Sequence, residues 1–135
     1  RRRTSSMPAD PTPPASVYQV VERYGAGKFQ ISGLSYQNSV LVFPERTIVW
    51  PVTAFSDIDD AALAPVLDES QSSQGIELLL LGCGPRMQLV SQALRAPLRA
   101  AGIVIEPMDT GAAARTFNLL LSEDRRVAAA LIMLP

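Results

Sequence analysis

Residues 76–81, Ile-Glu-Leu-Leu-Leu-Leu, form a nearly unbroken apolar run that stops at Gly82-Cys83-Gly84-Pro85. The run is far shorter than the roughly 20 residues a membrane-spanning helix needs, and it lacks the alternation of a strand with one wet face. What it suits is a central β-strand buried on both faces, which requires a sheet with further layers above and below. The segments after it carry those layers. Leu89, Val90, Ala93, Leu94, Leu98 and Ala101 trace one face of a helix, expected to start at the Gly84-Pro85 junction, to kink at Pro97 and to end at Gly102. Ile103–Ile105 reads as the next strand, Asp109-Thr110-Gly111 as a capped turn, and Ala113, Phe117, Leu120 and Leu121 as the buried face of another helix. "SEDRR" then turns the chain into a last strand, Val127–Met133.

Ahead of the run, β-branched and alternating stretches at Lys28–Ile31, Ser39–Phe43 and Thr47–Val52 predict a β-meander broken by Gly33 and by Pro44-Glu45-Arg46. Ser56–Ser70 has Leu63, Val66 and Leu67 at helical spacing, and Pro65 is expected to divide it into two short pieces. The order after the meander is therefore α-β-α-β-α-β, the pattern of an α/β sandwich with right-handed crossovers. One domain over residues 17–135 accommodates it, since a 135-residue chain that is 47% hydrophobic can bury a core without covalent staples. Trp50 and Phe55 are expected in that core. The opening "RRRTSSMPADPTPPAS" has almost nothing to bury, so residues 1–16 read as a disordered tail, whether native, a vector-derived remnant, a transit-peptide fragment or the product of a start misassigned before Met7.

Composition excludes several chemistries. There is no histidine, so no Ser-His-Asp or Cys-His pair can form, and the lone Cys83 leaves neither a disulfide nor a usual zinc ligand set. A reducing, cytoplasmic setting follows, with no cofactor and no metal. Arg1, Arg2 and Arg3 hold three of the twelve basic residues; from Asp10 onward nine basic face thirteen acidic residues, a net charge of −4, with Lys28 the single lysine. Nucleic-acid binding, which depends on clustered cations, is not expected, nor is an integral membrane segment.

One junction carries a candidate site. If the strands ending at Gly82 and Pro107 are parallel neighbours, the helices after them begin at one sheet edge, where backbone N–H groups and helix dipoles favour an anion. Gly82, Cys83, Gly84, Arg86, Asp109, Thr110 and Gly111 are then the candidate anion-binding residues. The spacing matches neither a Walker loop nor a dinucleotide fingerprint. The structural alternative is that the glycines supply unusual backbone angles, Pro85 opens a helix, Thr110 caps one, Asp109 fills the positive helix end, and Cys83 is a small buried apolar group. Arg115, Thr116 and Asn118, on the polar side of the last helix, read as a solvated face.

"YGAGKFQISG", "LLLLGCGPR" and "GIVIEPMDTGAAARTFNLLLSEDRRVAAALI" together resemble a widespread domain-of-unknown-function family that includes mitochondrial complex I assembly factor three and the adipogenesis-associated domain protein. The resemblance runs from about Tyr24 to Ile132 and implies a three-layer α/β fold with a central mixed sheet. For the mitochondrial member it implies a role in assembling complex I through protein contacts, with respiratory-complex subunits as partners. No catalytic residue carries over. High Ala, Arg and Pro content with one lysine points to a bacterial relative, with a mitochondrial location as the alternative. Two functions remain open: a non-catalytic assembly factor or adaptor, and a small-molecule or anion binder using the Gly82–Arg86 and Asp109–Gly111 edge.

Overall fold

The computed structural model describes residues 18–72 and 75–135; the expected tail at 1–16 lies outside them. Three short strands open the fold: β1 (Val21–Gly25), β2 (Lys28–Ile31) and β3 (Leu34–Tyr36) form an antiparallel sheet in that order. Its second hairpin turns through Ser32 and Gly33, both at positive φ, as a two-residue hairpin loop demands. The next hairpin, β4 (Val40–Val42) and β5 (Thr47–Val49), joins a different sheet. The expected meander is thus divided: β1–β3 stand alone as the N-terminal meander, while β4 and β5 extend the central sheet.

A 3-10 turn at Phe55–Asp57 leads into α1 (Asp60–Ser72), followed by β6 (Leu78–Gly82), α2 (Gln92–Ala100), β7 (Val104–Met108), α3 (Thr110–Ser122) and β8 (Val127–Leu131). The central sheet has the order β5-β4-β8-β6-β7. β6 runs parallel to both its neighbours, β7 and β8, whereas β4 is antiparallel to β8 and β5, so the sheet is mixed. From β6 to β7 the chain crosses in one direction; from β7 to β8 it returns past β6 over the opposite face, as two connections of one hand must.

Side-chain alternation along the central strands builds two cores. Leu79, Leu81, Ala128, Ala130 and Leu41 face α1 and α2, where they meet Leu63, Val66, Leu98 and Ile103. Leu80, Ala129, Leu131, Val40 and Val42 face α3 and the small sheet, where they meet Phe117, Leu121, Phe29 and Ile31. The apolar run is therefore a middle strand with both faces covered, and the molecule has three layers. Trp50 belongs to the first core, its indole N–H donating to the Ala62 carbonyl at 2.8 Å, and Phe55 packs against the same cluster.

Pro65 does not divide α1. A proline in a helix forfeits the bond to the carbonyl four residues back, here Ala61, and Ala61 is exposed, so water can satisfy that oxygen while Leu63 and Val66 stay buried. At the end of α2, Ile103 N–H reaches the Leu98 carbonyl at 2.8 Å and Gly102, at φ +83, reaches Arg99 at 2.9 Å, the paired bonds of a Schellman stop. α3 ends the same way, with Asp124 (φ 61) in the glycine's place and Arg125 N–H bonded to the Leu120 carbonyl at 3.0 Å.

Candidate functional site

The parallel pairing of β6 with β7 brings Gly82–Gly84 against Asp109–Gly111, as the strand-edge reasoning requires. The two helix starts do not converge there. α2 begins at Gln92, with Ser91 as its cap accepting from Leu94 N–H at 3.2 Å, so Arg86 sits exposed in an irregular connection and not in a first helical turn. Leu89, expected on the buried face of that helix, is 85% exposed. Gly84 at φ +94 sends the chain away from the helical path after Cys83, and the Ser91-Gln92-Ala93-Leu94 capping signal is the one the fold uses.

Thr110 ties the edge together. Fully buried at 0% exposure, its hydroxyl accepts from Gly84 N–H at 2.9 Å and donates to the Ile132 carbonyl at 2.7 Å, while its own N–H donates to the Gly84 carbonyl at 2.8 Å. One side chain thus joins the connection after β6, the start of α3 and the end of β8. Cys83 N–H donates to the Met108 carbonyl and Ile132 N–H to the Gly82 carbonyl, each at 2.9 Å. The approach is close enough that a Cβ on Gly82 would stand 2.9 Å from Thr110 Cα. The helix cap is Asp109 and not Thr110: its Oδ1 accepts from Ala112 N–H and its carbonyl from Ala113 N–H, both at 2.9 Å.

Cys83 is 4% exposed. Burial pushes its thiol pKa up, with the nearby Asp109 charge acting in the same direction against the lowering effect of backbone hydrogen bonds at Gln88 and Met108. A thiol held protonated is a poor nucleophile. Two surface clefts, of about 190 and 210 Å³, are lined by none of these edge residues, although Tyr24 of the second also lies against Gly111. Among the described residues no group of His, Cys, Asp and Glu is arranged to hold a metal ion.

The polar side of α3 is not simply solvated. Asn118 grips β1 in two directions: its Oδ1 accepts from Val21 N–H and its Nδ2 donates to the Val21 carbonyl, both at 2.9 Å. Three residues earlier, Arg115 donates to the Tyr24 hydroxyl and lies over the ring, 5.9 Å from its centroid. Gly111 completes this face; a Cβ there would stand 2.8 Å from Tyr24 Cε1. Gly111, Arg115 and Asn118 recur at i, i+4 and i+7 and so share one face of α3, a spacing that the reading of a solvated face overlooked.

Sequence comparison fits this geometry. A family profile matches residues 21–132, the whole span from β1 to just past β8. The chain belongs to the family described as "Protein of unknown function (DUF498/DUF598)". An uncharacterised protein of Rhodobacter capsulatus is 37% identical over 115 residues, which cover 85% of each chain. NADH dehydrogenase [ubiquinone] 1 alpha subcomplex assembly factor 3 of Xenopus tropicalis is 32% identical over 115 residues, covering 85% of this chain and 61% of that protein. The chain therefore spans about three fifths of that relative's length. A crystal structure of a Bordetella parapertussis protein superposes with a TM-score of 0.78 at 35% identity, covering 89% of this chain and 99% of that one. That protein thus shares this mixed α/β architecture, and among the described residues no helix is long and apolar enough to cross a membrane.

Proposed function

We propose that the chain is a non-catalytic assembly factor or adaptor that acts through protein contacts in the biogenesis of respiratory complex I. The observation that carries the reading is its 32% identity, over most of its length, to a protein named as an assembly factor of NADH dehydrogenase. The chemistry of the strand-end edge supports it. Thr110 and Asp109, the two polar side chains at the centre of that edge, are engaged in holding the fold, and Cys83 is buried and protonated. With no histidine in the chain, the commonest general base and every histidine-activated nucleophile are missing.

The test is deletion of the gene in the native cell, with complex I followed by native gel and by NADH:ubiquinone oxidoreductase activity. Loss of the assembled complex, accumulation of partial assemblies and rescue by the wild-type chain are expected. Undiminished complex I in the deletion strain refutes the proposal.

A further inference from the structure

The motif Tyr24–Gly33 does more than carry the β1–β2 hairpin. On the outer face of the small sheet lies a cleft of about 210 Å³, lined by Arg23, Tyr24, Lys28, Phe29, Gln30 and Ser35 among others. Strand register places the polar members side by side. Arg23 pairs with Gln30, Gln30 pairs with Ser35, and Lys28 is two residues before Gln30, so all four share one face, while Phe29 and Ile31 point to the core. Both cations are exposed, and among the described residues neither has an ion-pair partner. No carboxylate lines the cleft. The adjacent Glu22 is engaged with Gly33 N–H at 2.9 Å.

The strands that carry this face are held in place. Gly27 N–H donates to the Leu134 carbonyl at 2.8 Å, pinning the β1–β2 turn to Leu134, and on the opposite face of β1 Arg115 holds Tyr24 from α3. From Asp10 onward the chain carries a net −4, so two exposed cations beside a carboxamide and a hydroxyl form a local positive site on an acidic body. The volume is below the roughly 300–1,000 Å³ usual for a small-molecule or cofactor pocket. Nucleic acid would need more cations and exposed aromatic faces for base stacking, whereas Phe29 is 1% exposed and Tyr24 is occupied by Arg115.

We propose that this cleft docks an acidic peptide segment of a partner protein, its carboxylates paired with Arg23 and Lys28 and its polar groups meeting Gln30 and Ser35. The proposal rests on the protein-contact reading above and gives that contact a place and a charge. The probe is a fluorescein-labelled hexaglutamate amide titrated with the full chain and followed by anisotropy at low salt. Saturable binding that weakens with added salt, with no binding of hexaglutamine amide, is expected. The doubly substituted Arg23→Ala, Lys28→Ala chain, its fold checked by circular dichroism, should bind about tenfold more weakly, as loss of two partly exposed ion pairs implies. Lys28→Arg and the remote Arg99→Ala should bind as wild type. Absence of hexaglutamate binding at millimolar concentration, equal binding by the double variant, or displacement by oligouridylate or inorganic phosphate in preference to unlabelled hexaglutamate each overturns the proposal. The titration uses the isolated chain, so its failure leaves the assembly reading intact, while normal complex I in the deletion strain refutes the assembly reading and leaves the cleft standing.

Discussion

Replacing Thr110 with valine keeps the shape of a fully buried side chain and removes only its hydrogen-bonding oxygen. Two backbone groups then lose their partner: Gly84 N–H, which donated to the hydroxyl at 2.9 Å, and the Ile132 carbonyl, which accepted from it at 2.7 Å. Thr110 N–H keeps its bond to Gly84, because the main chain is unchanged. A buried polar group left unsatisfied costs about 1–3 kcal/mol, and carbonyls tolerate the loss better than N–H groups, so the pair should cost about 2–4 kcal/mol. In a domain of this length, each kcal/mol lowers the melting temperature by about 3–5 °C, so the variant should melt about 6–20 °C lower. Thr110→Ser keeps the hydroxyl and gives up one buried methyl, a loss of about 1 kcal/mol. Urea unfolding at unchanged m-value measures both. The order wild type, serine, valine is expected. A valine variant as stable as wild type, or more stable than serine, would refute the view that this hydroxyl ties β6, α3 and β8 together.

Gly82→Ala, whose Cβ would meet Thr110 Cα at 2.9 Å, should destabilise by about 1–3 kcal/mol in the same urea assay, whereas Gly25→Ala, with open space at its Cβ, should change stability by about 0.5 kcal/mol or less. Asn118→Ala, losing both bonds to Val21, should raise amide exchange across β1–β3 while the central sheet keeps its protection; uniform exchange through both sheets would contradict the clamp. Cys83 should resist iodoacetamide in the folded chain at pH 8 and react on unfolding. Its folded pKa is raised, so the folded state holds the proton to higher pH than the unfolded state, and stability should fall as pH rises past the unfolded thiol's value; a Cys83→Ala chain should lose that part of the alkaline decline. Millimolar phosphate should leave the NMR signals of the Gly84 and Ala112 amides unmoved, since both already donate within the protein; early movement of Gly84–Met87 and Gly111–Ala113, abolished by Arg86→Ala, would establish the anion site.

What was legible in the sequence follows burial. Leu78–Leu81 and Val127–Leu131 read correctly as strands because two-sided burial leaves an apolar run that competes with nothing else, and α3 was visible because Ala113, Phe117 and Leu121 all reach one core. β1 and β3 were missed for the converse reason. Val-Glu-Arg-Tyr-Gly buries only Val21, and its place depends on Asn118, a partner 97 residues away. The start of α2 was misplaced because Leu89 and Val90 continue the helical spacing of Ala93 and Leu94 although they precede the helix and Leu89 is exposed. Of the candidate site residues, Gly82, Cys83, Gly84, Asp109, Thr110 and Gly111 do meet. Arg86 stands apart as an exposed residue of the loop, because spacing along a chain cannot report where a loop at positive φ will turn.

α3 works at both of its ends, and this constrains how a bound partner could be sensed. Its first turn supplies Thr110 to the edge of the central sheet and Gly111 to the ring of Tyr24, while Arg115 and Asn118, one and two turns on, hold β1. The small sheet has its own share of the second core through Val21, Phe29 and Ile31, yet beyond Val21 the attachment of β1 to α3 is polar and partly exposed. Water competes for such bonds far more readily than for the buried Thr110 network, so the outer sheet should open before the central one. A peptide in the Arg23–Lys28 cleft touches the strands that open first. It therefore should slow exchange in β1–β3 and at Asn118 while leaving Gly84 and Thr110 unchanged. Equal protection of both sheets would mean that α3 transmits binding to the core, and the layers would then have to be treated as one cooperative unit.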